Sequence, residues 1–359
     1  MTDRMDRPAP VRKGEELEAD KLQRYLLASL PDASGPISIR QFPSGHSNLT
    51  YLVSLADKEF VLRRPPFGSK VKSAHDMGRE FRVLSKLSRV YPPAPRPLLF
   101  CEDEGILGAK FYLMERVQGS ILRNRRPEGF NPSETEVRAC CAALVDNLAD
   151  LHSIDYEKAG LAVLRKPGEY SERQVLGWSK RWDGSKTDEA PDIEAVRSWL
   201  VERIPRDTDA TVIHNDYKFD NVVLDPSDWT RIVAVLDWEM STVGDPLMDL
   251  GTSLAYWSEP GDAEEIRVVQ CFLTTSPGAL TRMEIAERYA QRTGRDTSNV
   301  LYYYIFGLFK LAVIVQQIYY RYAQGLTKDE RFAGMIEMVY ALGRTGIVAI
   351  ERGSMSEAP

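Results

Sequence analysis

Residues 212–250 read VIHNDYKFDNVVLDPSDWTRIVAVLDWEMSTVGDPLMDL, and the order of residue types in this stretch decides the fold. Positions 222–225 and 232–236 are β-rich runs, and Asp225-Pro-Ser-Asp228 between them carries turn chemistry. The pattern predicts an antiparallel hairpin. If the strands pair symmetrically about the turn, Asn221 before the first lies opposite Asp237 after the second. An amide oxygen and a carboxylate at one end of a hairpin are hard ligands, suited to a Mg²⁺ that also takes phosphate oxygens and water. Asp216 lies five residues before Asn221, with Lys218 between them. One loop thus offers a carboxylate, an ammonium and a metal ligand. Phosphoryl transfer needs those three things: a group to orient the attacking hydroxyl, positive charge on the γ-phosphate, and a metal bridging phosphates. A lone Asp-rich loop is more often a set of turns and caps; here the motif order and the predicted hairpin agree.

Working outward, positions 1–14 are polar and expected to be disordered. A helix is expected over 15–30, ended by Pro31, then strands over 37–42, 50–55 and 59–63 joined by turn residues. Met77, Phe81, Leu84 and Leu87 recur at three- and four-residue spacing and predict a helix over 74–90. Prolines 92, 93, 95 and 97 make an extended linker, and strand character returns at 98–101 and 111–116, just before Gly119. Beyond Gly119 the pattern turns helical: 133–152, 193–204 and most of the chain after Pro246. Residues 165–190 are polar and glycine-containing, and are expected to wander over the surface.

The chain has 359 residues, 43% of them hydrophobic, enough for two lobes with their own cores. A net charge of −6 lacks the basic footprint of a nucleic-acid partner. Cys101, Cys140, Cys141 and Cys271 form no CxxC pair, which fits reduced thiols in a cytoplasmic protein. The N-terminus carries no apolar h-region, so no signal peptide is expected. The longest apolar stretch, 301–320, contains Lys310, Gln316 and Gln317, so a buried core helix is expected there and no membrane partner.

The octet HNDYKFDN at 214–221 resembles the catalytic loop of the protein-kinase-like fold. It is more similar still to the His-Gly-Asp form of the aminoglycoside phosphotransferase and choline kinase families. The continuation through Leu250 resembles members of that group that stand alone in bacteria or are fused to acyl-CoA dehydrogenases. The resemblance implies an α+β, bilobal protein-kinase-like fold: a small antiparallel β-rich lobe over 15–117 and a larger, mostly α-helical lobe over 118–359. It implies ATP and Mg²⁺ as cofactors and a small-molecule hydroxyl as acceptor.

By the same resemblance Asp216 orients the hydroxyl or takes its proton, and Asn221 and Asp237 hold Mg²⁺; Lys218, from its place in the loop, is the catalytic cation beside Asp216. His214 positions the loop from a buried site and Asp249 braces it. Val61 meets adenine, Arg63 takes the α/β-phosphates where most relatives carry Lys, and Glu80 on the inward face of its helix pairs with Arg63. Ser47 and Asn48 belong to the phosphate-covering turn, although the usual glycine pattern is missing. The Glu115 carbonyl and Val117 amide contact adenine. Asp245 before Pro246 reads as a helix N-cap.

Protein kinases have Arg after the loop His, to receive an activation-loop phosphate; Asn215 stands there, and little chain separates Asp237 from Asp245. A small-molecule acceptor and constitutive activity are the expectation. The tyrosines and phenylalanines of 301–325 are read as core rather than pocket. A hydroxyacyl compound such as a hydroxyacyl-CoA is the acceptor that the resemblance favours. An aminoglycoside or choline-type alcohol and a nucleotide-binding pseudokinase remain as alternatives.

Overall fold

The computed structural model describes residues 8–31, 33–42, 48–67, 76–126, 129–327 and 329–356. In chain order they form α1 (Ala19–Ser29), β1 (Ile37–Gln41), β2 (Leu49–Leu55), β3 (Lys58–Arg64), α2 (Met77–Leu87), β4 (Pro97–Cys101), α3 (Glu104–Leu107) and β5 (Phe111–Glu115). Then come α4 (Glu134–His152), α5 (Tyr170–Asp183), α6 (Pro191–Glu202), β6 (Thr211–Ile213), β7 (Val222–Leu224), β8 (Ile232–Val235) and β9 (Thr242–Gly244). Helices complete the chain: α7 (Pro246–Ala255), α8 (Glu264–Arg267), α9 (Arg282–Thr293), α10 (Val300–Ala323) and α11 (Met335–Arg352). The fold class is the expected α+β one, and two compact units divide the chain.

The first unit comprises Met1–Ile121, Val223–Asp228 and Ile232–Met240. Its five-stranded sheet has the order β1-β2-β3-β5-β4, with every neighbouring pair antiparallel. Leu22 and Leu26 of α1 close a core over Tyr51, Val53, Leu62 and Phe111. Helix α2 begins where the Asp76 carboxylate accepts the Arg79 amide at 2.9 Å, satisfying one of the orphan donors of its first turn. It buries Met77, Val83, Leu84 and Leu87. The β7–β8 hairpin forms as expected, its turn fixed by Asp225 Oδ1 accepting the Ser227 amide at 2.8 Å. Ser120 and Leu224 exchange backbone hydrogen bonds of 2.9 and 2.8 Å, which pins the hairpin to the chain after β5. A Cβ on Gly119 would lie 2.5 Å from the Leu224 carbonyl oxygen, so only glycine allows that approach. The tail expectation needs correction for its described part. Ala9 donates to the Gln41 carbonyl at 2.7 Å and the Arg12 amide to Gln41 Oε1 at 2.9 Å, so residues 8–14 run beside β1.

The second unit comprises Leu122–Val222, Trp229–Arg231 and Ser241–Pro359. Capping boxes open α4 (Ser133 with Glu136) and α9 (Thr281 with Glu284). Helix α10 is long and apolar enough to cross a membrane, as is the 330–352 stretch, but 78% of the α10 window is buried within this unit. It packs chiefly on α7 and α11, with α6 and α5 also against it. Residues 165–190 do not simply wander. Tyr170, Val175, Trp178 and Trp182 form a buried stripe, and that stripe makes α5 a packed helix despite its polar average. Strands β6 and β9 pair antiparallel, and β6 leads into the loop 214–221.

Candidate functional site

In the second unit the loop 214–221 runs from β6 into a single 3₁₀ turn, Phe219–Asn221, that leads into β7. Asp216 is its centre, with a side chain 18% exposed. Its Oδ1 accepts Lys218 Nζ at 2.8 Å, and its Oδ2 accepts Asn221 Nδ2 at 2.8 Å. The same Nδ2 also reaches the Asp216 carbonyl at 2.8 Å. The Asn221 amide is thereby oriented with its nitrogen spent on Asp216, which leaves Oδ1 as the donor for a hard cation. Burial pushes the Asp216 carboxyl up, but Lys218, His214 and Tyr256 outweigh it and hold the group below the usual carboxylate range. Lys218 lies 4.1 Å from the Tyr256 ring centre. Burial opposes its charge, yet Tyr256 and Asp216 keep the ammonium above its ordinary value.

The loop is held from several sides. Asp249 of α7, fully buried, accepts the His214 amide at 2.6 Å and the Asn215 amide at 2.7 Å. His152 of α4 meets Asp249 at 3.1 Å and the Tyr289 hydroxyl at 2.8 Å. Burial depresses the His152 imidazole more than Asp249 raises it. His214 is fully buried, and its Nδ1 accepts the Asp216 amide at 3.2 Å. Asp245 caps α7 by accepting the Leu247 amide at 2.7 Å. Beside the loop a cavity of about 30 Å³ is lined by Leu144, Leu148, Leu254, Trp257 and Ile285, with Lys218 and Asp220 at its polar side.

The first unit assembles the other sequence-identified residues. Arg63 of β3 reaches Glu80 of α2 at 3.0 Å and Asp237, just past β8, at 2.9 Å. Glu80 is 1% exposed; burial pushes its carboxyl up and Arg63 only partly offsets this. Burial opposes the Arg63 charge, but Glu80 and Asp237 outweigh it and raise the guanidinium above its ordinary value. Val61, two residues before Arg63, is buried on the same strand. Glu115 ends β5, where its side chain accepts the Arg96 amide at 2.8 Å. Val117 follows, half-buried, and its amide makes no backbone hydrogen bond among the described residues.

Ser47 lies outside the described residues. Asn48 is buried, and its side-chain amide donates to Glu239 at 2.5 Å. That bond ties Asn48 to the stretch after Asp237. Sequence reasoning also missed two contacts to the loop: Lys310 Nζ donates to the Asn215 carbonyl at 2.7 Å, and Tyr170 donates to Asn215 Oδ1 at 2.9 Å. Lys310 was visible only as an ion inside an apolar helix, and Tyr170 fell in a stretch read as surface.

A kinase-like catalytic loop followed by a β-hairpin, in an α+β fold of this topology, defines a small-molecule phosphotransferase. The chain belongs to the phosphotransferase enzyme family, which it matches over residues 38–279. It is 34% identical over 345 residues to acyl-CoA dehydrogenase family member 11 of Rattus norvegicus, covering 94% of this chain and 44% of that protein. The chain thus spans less than half the length of that relative. A protein from Ralstonia eutropha whose solved structure bears the aminoglycoside phosphotransferase name superposes with a TM-score of 0.79. That match has 28% identity and covers 94% of this chain and 99% of the other. Choline kinase from Cryptosporidium parvum superposes with a TM-score of 0.61 at 13% identity, over 94% and 97% of the two chains, a likeness of fold.

Proposed function

We propose that this phosphotransferase uses Mg-ATP and passes the γ-phosphoryl group to the hydroxyl of a hydroxyacyl compound. The observation that carries the transfer chemistry is the Asp216 triad: one carboxylate bonded at 2.8 Å to an ammonium on one oxygen and to an amide on the other. An ionised Asp216 accepts the hydrogen bond of an incoming hydroxyl and holds its oxygen for attack. Lys218 keeps positive charge at the same place, where charge spreads over the transferring group.

The donor set fits Mg²⁺. Asn221 has an oriented amide oxygen, and Asp237 carries a carboxylate that is 31% exposed. Each offers a hard oxygen suited to the ion, which when bound would supply neutralising charge to the phosphates. Arg63 suits phosphate because its buried Nε has no hydrogen-bond partner among the described residues. The acyl part of the reading is supported by the name of the relatives.

The test titrates Mg-ATP against wild type and Asp216→Asn, then follows ADP release with hydroxyacyl-CoAs, free hydroxy acids, choline and aminoglycosides. Both proteins should bind nucleotide, and only the wild type should give acceptor-dependent ADP, with a loss of about 10²–10⁴-fold in the variant. Full activity in Asp216→Asn would remove Asp216 from the chemistry, and a response confined to choline or aminoglycosides would overturn the acyl assignment.

A further inference from the structure

We propose that Lys310 and Tyr170 are positioning residues of the phosphoryl-transfer loop, jointly clamping Asn215 in the conformation that presents Asp216. The proposal rests on the phosphotransferase chemistry above but concerns residues to which that chemistry assigns nothing.

Asn215 sits at φ +68°, in the left-handed region that side chains other than glycine rarely adopt. Asparagine tolerates that region, yet a strained residue persists only where its surroundings over-determine it. Separate helices supply the restraints. Asp249 of α7 accepts the amide at 2.7 Å. Lys310 of α10 donates to the carbonyl at 2.7 Å. Tyr170, the first residue of α5, donates to the side-chain oxygen at 2.9 Å. Backbone donor, backbone acceptor and side-chain acceptor are each taken by a different helix, and the next residue is Asp216.

Packing does not explain Lys310. It is 3% exposed within a helix whose neighbouring positions are almost all apolar, and a buried ammonium is unfavourable unless it is bonded. Where protein kinases place the loop's own cation, this chain has Asn215, and a cation reaches the same loop from α10. Such a cation needs no phosphorylated segment to bring it into place.

The clamp titrates in an accessible range. Burial pulls the Lys310 ammonium down to about 8, against the opposing pull of Asp249 and Asp216. The charged groups that face it are Asp249 from α7, Asp216 and Lys218 from the loop, and Arg181 from α5. The Trp178 ring of α5 also faces it, 5.8 Å from the ammonium.

The experiment measures acceptor-independent Mg-ATP hydrolysis from pH 6 to 10 in wild type, Lys310→Arg, Lys310→Met and Tyr170→Phe, with amide hydrogen exchange at Asn215 and Asp216 referenced to α7 amides. In the wild type kcat should fall about tenfold through a limb near pH 8, with KM for Mg-ATP unchanged. Lys310→Arg should lose the limb because a guanidinium stays charged throughout. Lys310→Met should be slow at every pH, and Tyr170→Phe should lower kcat but keep the limb. Should Lys310→Met fail to fold, the Arg and Phe variants decide. A limb that survives in Lys310→Arg, or a KM that moves with kcat, overturns the proposal. The exchange data separate the two levels of inference. Loop protection that drops above pH 8 in wild type but not in Lys310→Arg upholds the clamp even without turnover. Protection indifferent to pH overturns it even if the enzyme is active.

Discussion

Among the described residues three non-glycine positions have positive φ: Ala56, Asn215 and Asp237. Asn215 adjoins Asp216, and Asp237 is a proposed metal ligand; such local backbone strain persists where surrounding bonds hold it in place. For Asp237 one of those bonds comes from Arg63, which also forms an ion pair with Glu80 at 3.0 Å. Replacing Arg63 with Met removes the cation that lies 3.0 Å from the Glu80 carboxylate, which is buried at 1% exposure. The expected loss is about 3–5 kcal/mol of folding stability, since an uncompensated buried charge is what makes such truncations severe. Arg63→Lys should lose less, because it keeps the charge but not the fork that reaches two carboxylates. Urea unfolding of the two variants decides the matter, and an Arg63→Met midpoint equal to wild type would show that Glu80 does not depend on the pair. The sequence disclosed these residues unevenly, for a physical reason. Asp216, Lys218 and Asn221 lie within one short loop, and Glu80 shares the apolar period of its helix, so local rules reach them. Asn48 with Glu239 and Lys310 with Asn215 meet only through tertiary packing, which no local period encodes.

At the scale of elements, the catalytic loop depends on how closely α7 and α10 cross. A Cβ on Gly251 would stand 2.2 Å from the Tyr303 carbonyl oxygen, and one on Gly307 would stand 2.4 Å from the Gly251 carbonyl oxygen. Both obstacles are backbone, so neither can swing aside. The crossing carries Asp249 on one helix and Lys310 on the other, and both hold the loop. Gly307→Ala should therefore destabilise the protein by about 1–3 kcal/mol and lower kcat as the helices part. Its denaturation midpoint and turnover can be read on one preparation, and an unchanged midpoint would mean that the crossing relaxes freely. The existence of α2 and α4 followed from apolar period in the sequence. Helix α5 did not, because its mean polarity hides a narrow stripe of Tyr170, Val175, Trp178 and Trp182. Strands β6 and β9 did not either: three residues are too few for an alternation to declare itself.

For the whole molecule, Lys310 links stability and activity with opposite signs. Its ammonium is held at about 8 when folded, well below the ordinary lysine value that the unfolded chain restores. Between those two values the unfolded state binds more protons than the folded state, so folding stability rises with pH. Below pH 8 both states carry the proton and the destabilising burial of charge is felt in full. As pH climbs past 8 the folded state sheds the proton first and that penalty is progressively relieved, at about 1.4 kcal/mol per pH unit until the unfolded chain also titrates. Turnover moves the other way, because the neutral amine holds the Asn215 carbonyl less firmly than the ammonium does. Tyrosines titrate in the same alkaline region, so the useful quantity is the stability difference between wild type and Lys310→Met, in which their contributions cancel. That difference, from urea unfolding at pH 7, 8, 9 and 10, should stay flat to pH 8 and then shift in favour of the wild type while its kcat declines. A residue that served stability alone would make both curves bend together, and parallel decline of stability and kcat above pH 8 would exclude the assigned role for this buried cation.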